Sequence, residues 1–185
     1  MAKFDYVKAQ KLAFDLIDKF GQQTPIVRVF SDYDEVEGTR TITGYYLTIG
    51  TVVSLPATNG RIQAFDNRKR EDLKQGKLRF FYVAAKDLAF EPVANDFFFF
   101  EGCVWDMQGA TPLNPAGTRI MFSAGCKQGD KNHLGDLLAA LASATDDNWE
   151  PPEVNDPDVL QEMILRIEAL EATGVLDFSQ LPSIC

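Results

Sequence analysis

Between Phe4 and Phe20 the apolar residues Ala9, Leu12, Ala13, Leu16, Ile17 and Phe20 recur at spacings of three and four, with charges on the other side. That period predicts an amphipathic helix over residues 4–20, stopped by Gly21. After the Thr24-Pro25 pair the period shortens: Ile26-Val27-Arg28-Val29-Phe30 reads as a strand, and residues 31–38 read as a polar, acidic turn. Residues 41–54 are rich in Thr, Tyr, Ile and Val, which predicts a long strand or hairpin, with Gly44 and Gly50 as bulge positions. Residues 56–76 lose apolar periodicity and read as a long excursion loop. Strand character returns at 78–84, and again in Phe97-Phe98-Phe99-Phe100 with Val104 and Trp105, where Glu101-Gly102 predicts a hairpin. Pro112-Leu113-Asn114-Pro115-Ala116-Gly117-Thr118 reads as a proline and glycine turn, with Asn114 extended before Pro115 and a strand from Arg119 to Cys126.

The remainder is patterned differently. Residues 134–144 form a short alanine-rich helical segment, and Trp149-Glu150-Pro151-Pro152-Glu153 reads as an extended connector because consecutive prolines exclude helix. Asp156 as N-cap and Pro157 at the first helical position introduce a second helix, whose apolar stripe is Val159, Leu160, Met163, Ile164, Ile167 and Leu170. The pattern therefore predicts a mainly β fold with flanking helices. It is a small β-barrel or sandwich with an N-terminal helix, a long inserted loop and a helical C-terminal extension, divided into residues 1–128 and an acidic arm at 129–185. Such an arm packs on its own domain or docks on a neighbouring subunit.

Four consecutive phenylalanines put rings on both faces of a strand, so either both faces are covered or one is an interface. In a barrel, the outward rings need covering by the N-terminal helix or by a neighbouring subunit. Phe97 and Phe99, with Leu160, Ile164 and Ile167 of the arm, are therefore the candidate subunit-interface residues.

Charge is segregated along the chain. Seven of the eighteen Lys and Arg residues, namely Arg61, Arg68, Lys69, Arg70, Lys74, Lys77 and Arg79, fall in one stretch, although the net charge is −9. From Cys126 onward twelve carboxylates face only Lys127, Lys131 and Arg166. Each run is either a solvated face or one half of a head-to-tail contact, and the basic one is also suited to nucleic-acid phosphates.

Signals for chemistry are sparse. The three cysteines, Cys103, Cys126 and Cys185, are odd in number and widely spaced, which predicts reduced thiols rather than disulfides or zinc. His133, the single histidine, stands before a helix and reads as a capping or surface residue. No P-loop, G-x-G-x-x-G, G-x-S-x-G or H-E-x-x-H occurs. The expectation is a protein without enzymatic activity, cofactor or metal. The polar N-terminal residues carry no apolar run suited to a signal peptide or membrane span, which predicts synthesis in the cytoplasm and no membrane partner.

Three patches carry a resemblance. They are Phe4-Asp5-Tyr6 through Ala9-Gln10, Leu12-Ala13, Leu16-Ile17 and Lys19-Phe20-Gly21-Gln22 into Ile26-Val27-Arg28; Glu91-Pro92-Val93-Ala94-Asn95-Asp96; and Pro112 to Thr118. Over roughly residues 4–125 the chain resembles the head-closure, or stopper, proteins of the head-tail connector of long-tailed bacteriophages. The resemblance implies a structural virion protein at the neck, made in the host cytoplasm. It implies a ring of six copies, or twelve, that closes the DNA-filled capsid and presents the tail attachment surface. Its neighbours would be a portal or adaptor protein on the head side and a tail-terminator or tail-tube protein on the tail side. In such rings a long loop reaches the channel, which assigns Arg61, Arg68, Lys69, Arg70 and Lys74 to a channel-facing role with non-specific contact to packaged DNA. The acidic extension from about Asp130 departs from the family pattern, so a tail-terminator or adaptor ring of the same neck is the alternative. A reading of another class is a monomeric single-strand nucleic-acid-binding barrel, stacking bases on Phe80, Phe81 and Tyr82.

Overall fold

The computed structural model of the chain describes residues 5–55, 76–129, 132–145, 147–154 and 156–174. Helix α1 spans Tyr6–Phe20, and the Asp5 carboxylate caps it by accepting from the Lys8 amide at 3.0 Å. Gly21 does end this helix, but in an extended conformation rather than a left-handed cap. A Cβ at Gly21 would stand 2.4 Å from the Val52 carbonyl oxygen and 2.5 Å from that of Ile17, so glycine is required by the tight chain reversal against the barrel.

Six strands follow: β1 Gln22–Asp34, β2 Thr39–Leu55, β3 Leu78–Ala84, β4 Phe97–Phe100, β5 Cys103–Leu113 and β6 Met121–Gln128. All neighbours are antiparallel, in the order β1-β2-β3-β6-β5-β4, and the ring closes where Ile26 and Val27 of β1 pair with Phe98 and Phe97 of β4. The barrel and its flanking helices match the predicted fold class. Residues 31–34, read as turn, belong instead to β1, because pairing with β2 continues out to Asp34 and Thr39. The pairing skips from Phe30/Gly44 to Ser31/Ile42, so Thr43 is the extra residue of a bulge beside Gly44. Gly50 keeps the register; a Cβ there would meet the Ile26 side chain at 2.6 Å, and close packing is its reason.

The Glu101-Gly102 hairpin forms as predicted. Both residues are left-handed, with φ 51° and 70°, the pattern of a type I′ turn that matches strand twist. Pro112 and Leu113 finish β5 rather than opening a turn, and Asn114 takes φ −128°, ψ 64° instead of an extended conformation. A 3-10 turn at Pro115–Gly117, with Gly117 at φ 82°, then leads to β6, which starts at Met121 rather than Arg119.

Two helices complete the described chain: α2 Asn132–Ala142 and α3 Val159–Ala172. The second begins later than the Asp156-Pro157 pattern predicts. The Asp156 carboxylate accepts from the Asp158 amide at 2.8 Å, making a turn before the helix instead of capping it.

Strand alternation divides the apolar residues between two clusters. Ile26, Val52, Phe81, Phe98, Phe100, Trp105, Met107 and Phe122 fill the barrel interior. Val27, Tyr45, Leu47, Phe97 and Phe99 point outward and meet Leu137, Leu141, Met163, Ile167 and Leu170 of α2 and α3. The barrel and helices α2 and α3 thus share a buried cluster. The outward phenylalanines are covered by the C-terminal helices of their own chain, and neither α1 nor a neighbouring subunit is needed for it.

Candidate functional site

The predicted site residues fall into two groups. Arg61, Arg68, Lys69, Arg70 and Lys74 lie outside the described residues. Arg79, at the end of the same basic stretch, pairs with Glu101 at 2.7 Å and stands over the Trp105 ring at 5.1 Å. Phe97, Phe99 and Ile167 are buried and Leu160 is half-buried, brought together in the cluster between barrel and helices, whereas Ile164 is buried but lies outside that cluster. In this fold Phe97, Phe99 and Ile167 pack against one another's elements within one chain, so their burial is accounted for without a partner subunit. Phe81 is enclosed in the barrel, so of the three aromatic residues read for base stacking only Phe80 and Tyr82 reach the outer face.

Surfaces that the described residues leave uncovered lie elsewhere. Along α1 only Ile17 is fully buried, because the helix rests on β2, β3 and β6 by a line narrower than its apolar sector. Leu12, Leu16 and Phe20 remain 61, 52 and 67% exposed. They follow one another at i+4 steps and so form a continuous row about 12 Å long beside the packed line. Lys8 begins the same row, and Lys19 stands over the Phe20 ring at 5.4 Å.

The second uncovered surface is the far end of the β1–β2 ribbon. Beyond Val27, β1 pairs only with β2, and past Val29 the ribbon stands clear of the buried cluster for about 17 Å to Asp34. Its turn is well built: the Asp34 carboxylate accepts from the amides of Val36 and Glu37 at 2.8 and 3.2 Å, and Gly38, at φ 65°, closes it. Four carboxylates crowd this end, at Asp32, Asp34, Glu35 and Glu37. Among the described residues none of them forms an ion pair. Between them Tyr33 and Val36 are 64 and 95% exposed. Sequence reading missed the ribbon by placing residues 31–38 in a turn; the available signal was Tyr33 and Val36, apolar residues in a run otherwise acidic.

The root of the ribbon is clamped. Arg28 donates to both Asp96 carboxylate oxygens at 2.7 and 2.8 Å and to the Glu91 carbonyl at 2.8 Å, while Asp96 also accepts from the Val93 amide at 2.8 Å. The Arg28 guanidinium lies 4.7 Å over the Phe90 ring, which stacks on Tyr46. Its pKa is raised, chiefly by the hydrogen bonds to Asp96. These contacts, with the Ala89 amide donating to the Thr48 hydroxyl at 3.0 Å, fix the 85–96 connection to β1 and β2. The ribbon therefore leaves the barrel from a rigid base.

A matching clamp holds the C-terminal helices. The buried Arg166 of α3 donates to Asp147 at 2.6 and 2.7 Å, to the Thr145 hydroxyl at 2.8 Å, and stands 5.0 Å from the Trp149 ring. Its hydrogen bond, followed by that of Thr145, holds the Asp147 carboxyl well below the usual carboxylate range. A cavity of about 340 Å³ lies between the β4–β5 turn and α3, lined by Phe99, Cys103, Val104, Leu160 and Met163 among others. Cys103 accepts from the Gln128 amide nitrogen, and burial pushes the Cys126 thiol well above its ordinary value.

Among the described residues no group of three His, Cys, Asp or Glu side chains is placed to hold a metal ion, and no helix is long and apolar enough to cross a membrane. What the geometry offers is adhesion: a rigid barrel with an apolar helix row and a projecting acidic ribbon. No protein-family model, curated protein or solved structure matches the chain.

Proposed function

We propose that the chain is a non-enzymatic structural protein of the bacteriophage neck, forming a ring that closes the DNA-filled capsid and presents the surface for tail attachment. The observation that supports this reading is a small closed barrel with both its cores filled from within, which still leaves a helix row and a clamped ribbon uncovered. Contiguous apolar groups rimmed by charge are the kind of surface that marks a contact site. Repeated copies of one subunit offer one many times over. The Phe4 to Arg28, Glu91 to Asp96 and Pro112 to Thr118 patches supply the link to the head-closure proteins. In the ring, of six or twelve copies, the 56–76 stretch faces the channel and its cations meet phosphates without sequence readout. The portal or adaptor lies on the head side and the tail terminator or tail tube on the other.

The test is electron microscopy of virions and assembly intermediates carrying a gold-binding tag at the C-terminus of this chain. Label confined to a ring between capsid and tail is the expected result and identifies the layer. Label absent from particles overturns the neck assignment, and single-strand binding titrated against salt is then the experiment to run.

A further inference from the structure

We infer that the two uncovered surfaces are the halves of one contact between copies: the acidic tip of the β1–β2 ribbon of one subunit seats on the α1 row of the next. The contact rests on the ring reading proposed above. The occupant follows from charge and shape. The tip carries four carboxylates with no ion pair among the described residues, around the exposed Tyr33 and Val36. The helix presents the apolar row Leu12, Leu16 and Phe20 with Lys8 at its head and Lys11 and Lys19 along its flank, where they outnumber Asp15.

Apolar tip meets apolar row, and carboxylates meet ammonium groups at the rim, where they orient the approach and suppress wrong partners. Tip-to-tip pairing is opposed by four carboxylates on each side against one cation, Arg40, which stands opposite Tyr33 in the register. Row-to-row pairing would leave the tip uncovered. Reach is sufficient as well: the ribbon projects about 17 Å past Val29 and the row is about 12 Å long. Because donor and acceptor are different surfaces, the contact is heterologous. Each copy offers one of each, so repetition closes into a ring or extends as a filament.

Cysteine trapping tests this on the full chain. In a Cys103→Ser/Cys185→Ser background, with the inert Cys126 kept, Val36→Cys and Leu16→Cys are combined in one chain and oxidised with diamide at about 0.1 mM protein. Expected is a ladder of disulfide-linked oligomers on a non-reducing gel, absent from either single-cysteine variant. Glu35→Lys/Glu37→Lys should reduce the ladder at least 10-fold, and adding Lys8→Glu/Lys19→Glu should restore it. Only monomers and the dimers that the single-cysteine variants also give, or a ladder indifferent to both charge reversals, overturns the contact. The two proposals fail separately: neck label without a ladder removes this contact and keeps the neck assignment, whereas a ladder without neck label does the reverse.

Discussion

Truncating Phe99 to alanine measures how firmly the barrel and the C-terminal helices are joined. Phe99 points out of β4 into the cluster shared with Met163, Ile167 and Leu170, and it is buried. Removing a buried phenyl group costs about 3–5 kcal/mol in well-packed cores. The 340 Å³ cavity already bordering Phe99 means fewer partner atoms are lost, which puts the expected cost near the lower end, about 3 kcal/mol. For a chain of 185 residues that corresponds to a fall in Tm of about 6–12 °C. The assay is thermal and urea unfolding followed by far-ultraviolet circular dichroism and by tryptophan fluorescence. Trp105 reports from the barrel interior and Trp149 from beside Arg166, so each half has its own probe. A shared core predicts one transition, coincident for all probes, displaced as a whole by Phe99→Ala. Helices melting ahead of the barrel in the parent chain, or a cost below 1 kcal/mol, would refute the reasoning.

Two further outcomes follow from the clamps. Asp96→Ala removes the partner of Arg28 at a carboxylate side chain only 1% exposed; because Arg28 itself is 26% exposed and regains water, the expected cost is about 2–3 kcal/mol, below that of breaking a fully buried pair. A double-mutant cycle with Arg28→Ala in urea should give a coupling above about 1 kcal/mol, and additive losses would disprove the clamp. At the other clamp, the depressed Asp147 pKa means that the folded chain binds that proton less readily than the unfolded one. Its stabilisation is thus complete above about pH 4 and is lost as pH falls below it. Asp147→Asn should melt earlier than the parent at pH 7 and converge with it towards pH 2; a constant gap over that range contradicts the pairing.

How far the residues themselves announced this architecture depends on the range of the interaction. The type I′ turn at Glu101-Gly102, β3 at Leu78–Ala84 and the body of α1 were legible because period, turn chemistry and glycine placement act within a few residues. The mainly β class with flanking helices followed from the same signals, which left barrel and sandwich open until the β1–β4 pairing closed the ring. The ends of β1 and the start of β6 were not, since strands stop where a neighbour stops pairing, and that neighbour is distant in sequence. The start of α3 was missed for a smaller reason: Asp156 and Pro157 fit a cap, but the local turn accepted by the Asp156 carboxylate uses that group first.

The candidate surfaces divide in the same way. Alternation along Phe97 to Phe100 determined that two rings would point outward, and the helical stripe of Val159 to Leu170 determined that an apolar helix would seek a surface. That these two needs answer each other was decided only by tertiary packing, which buries both in one cluster within the chain. The same packing left Leu12, Leu16 and Phe20 uncovered, although their pattern is indistinguishable from that of a core-facing stripe. Amphipathic period records that a residue is suited to burial; which face is buried, and against what, is set by the total area the fold can cover, a quantity no local pattern contains.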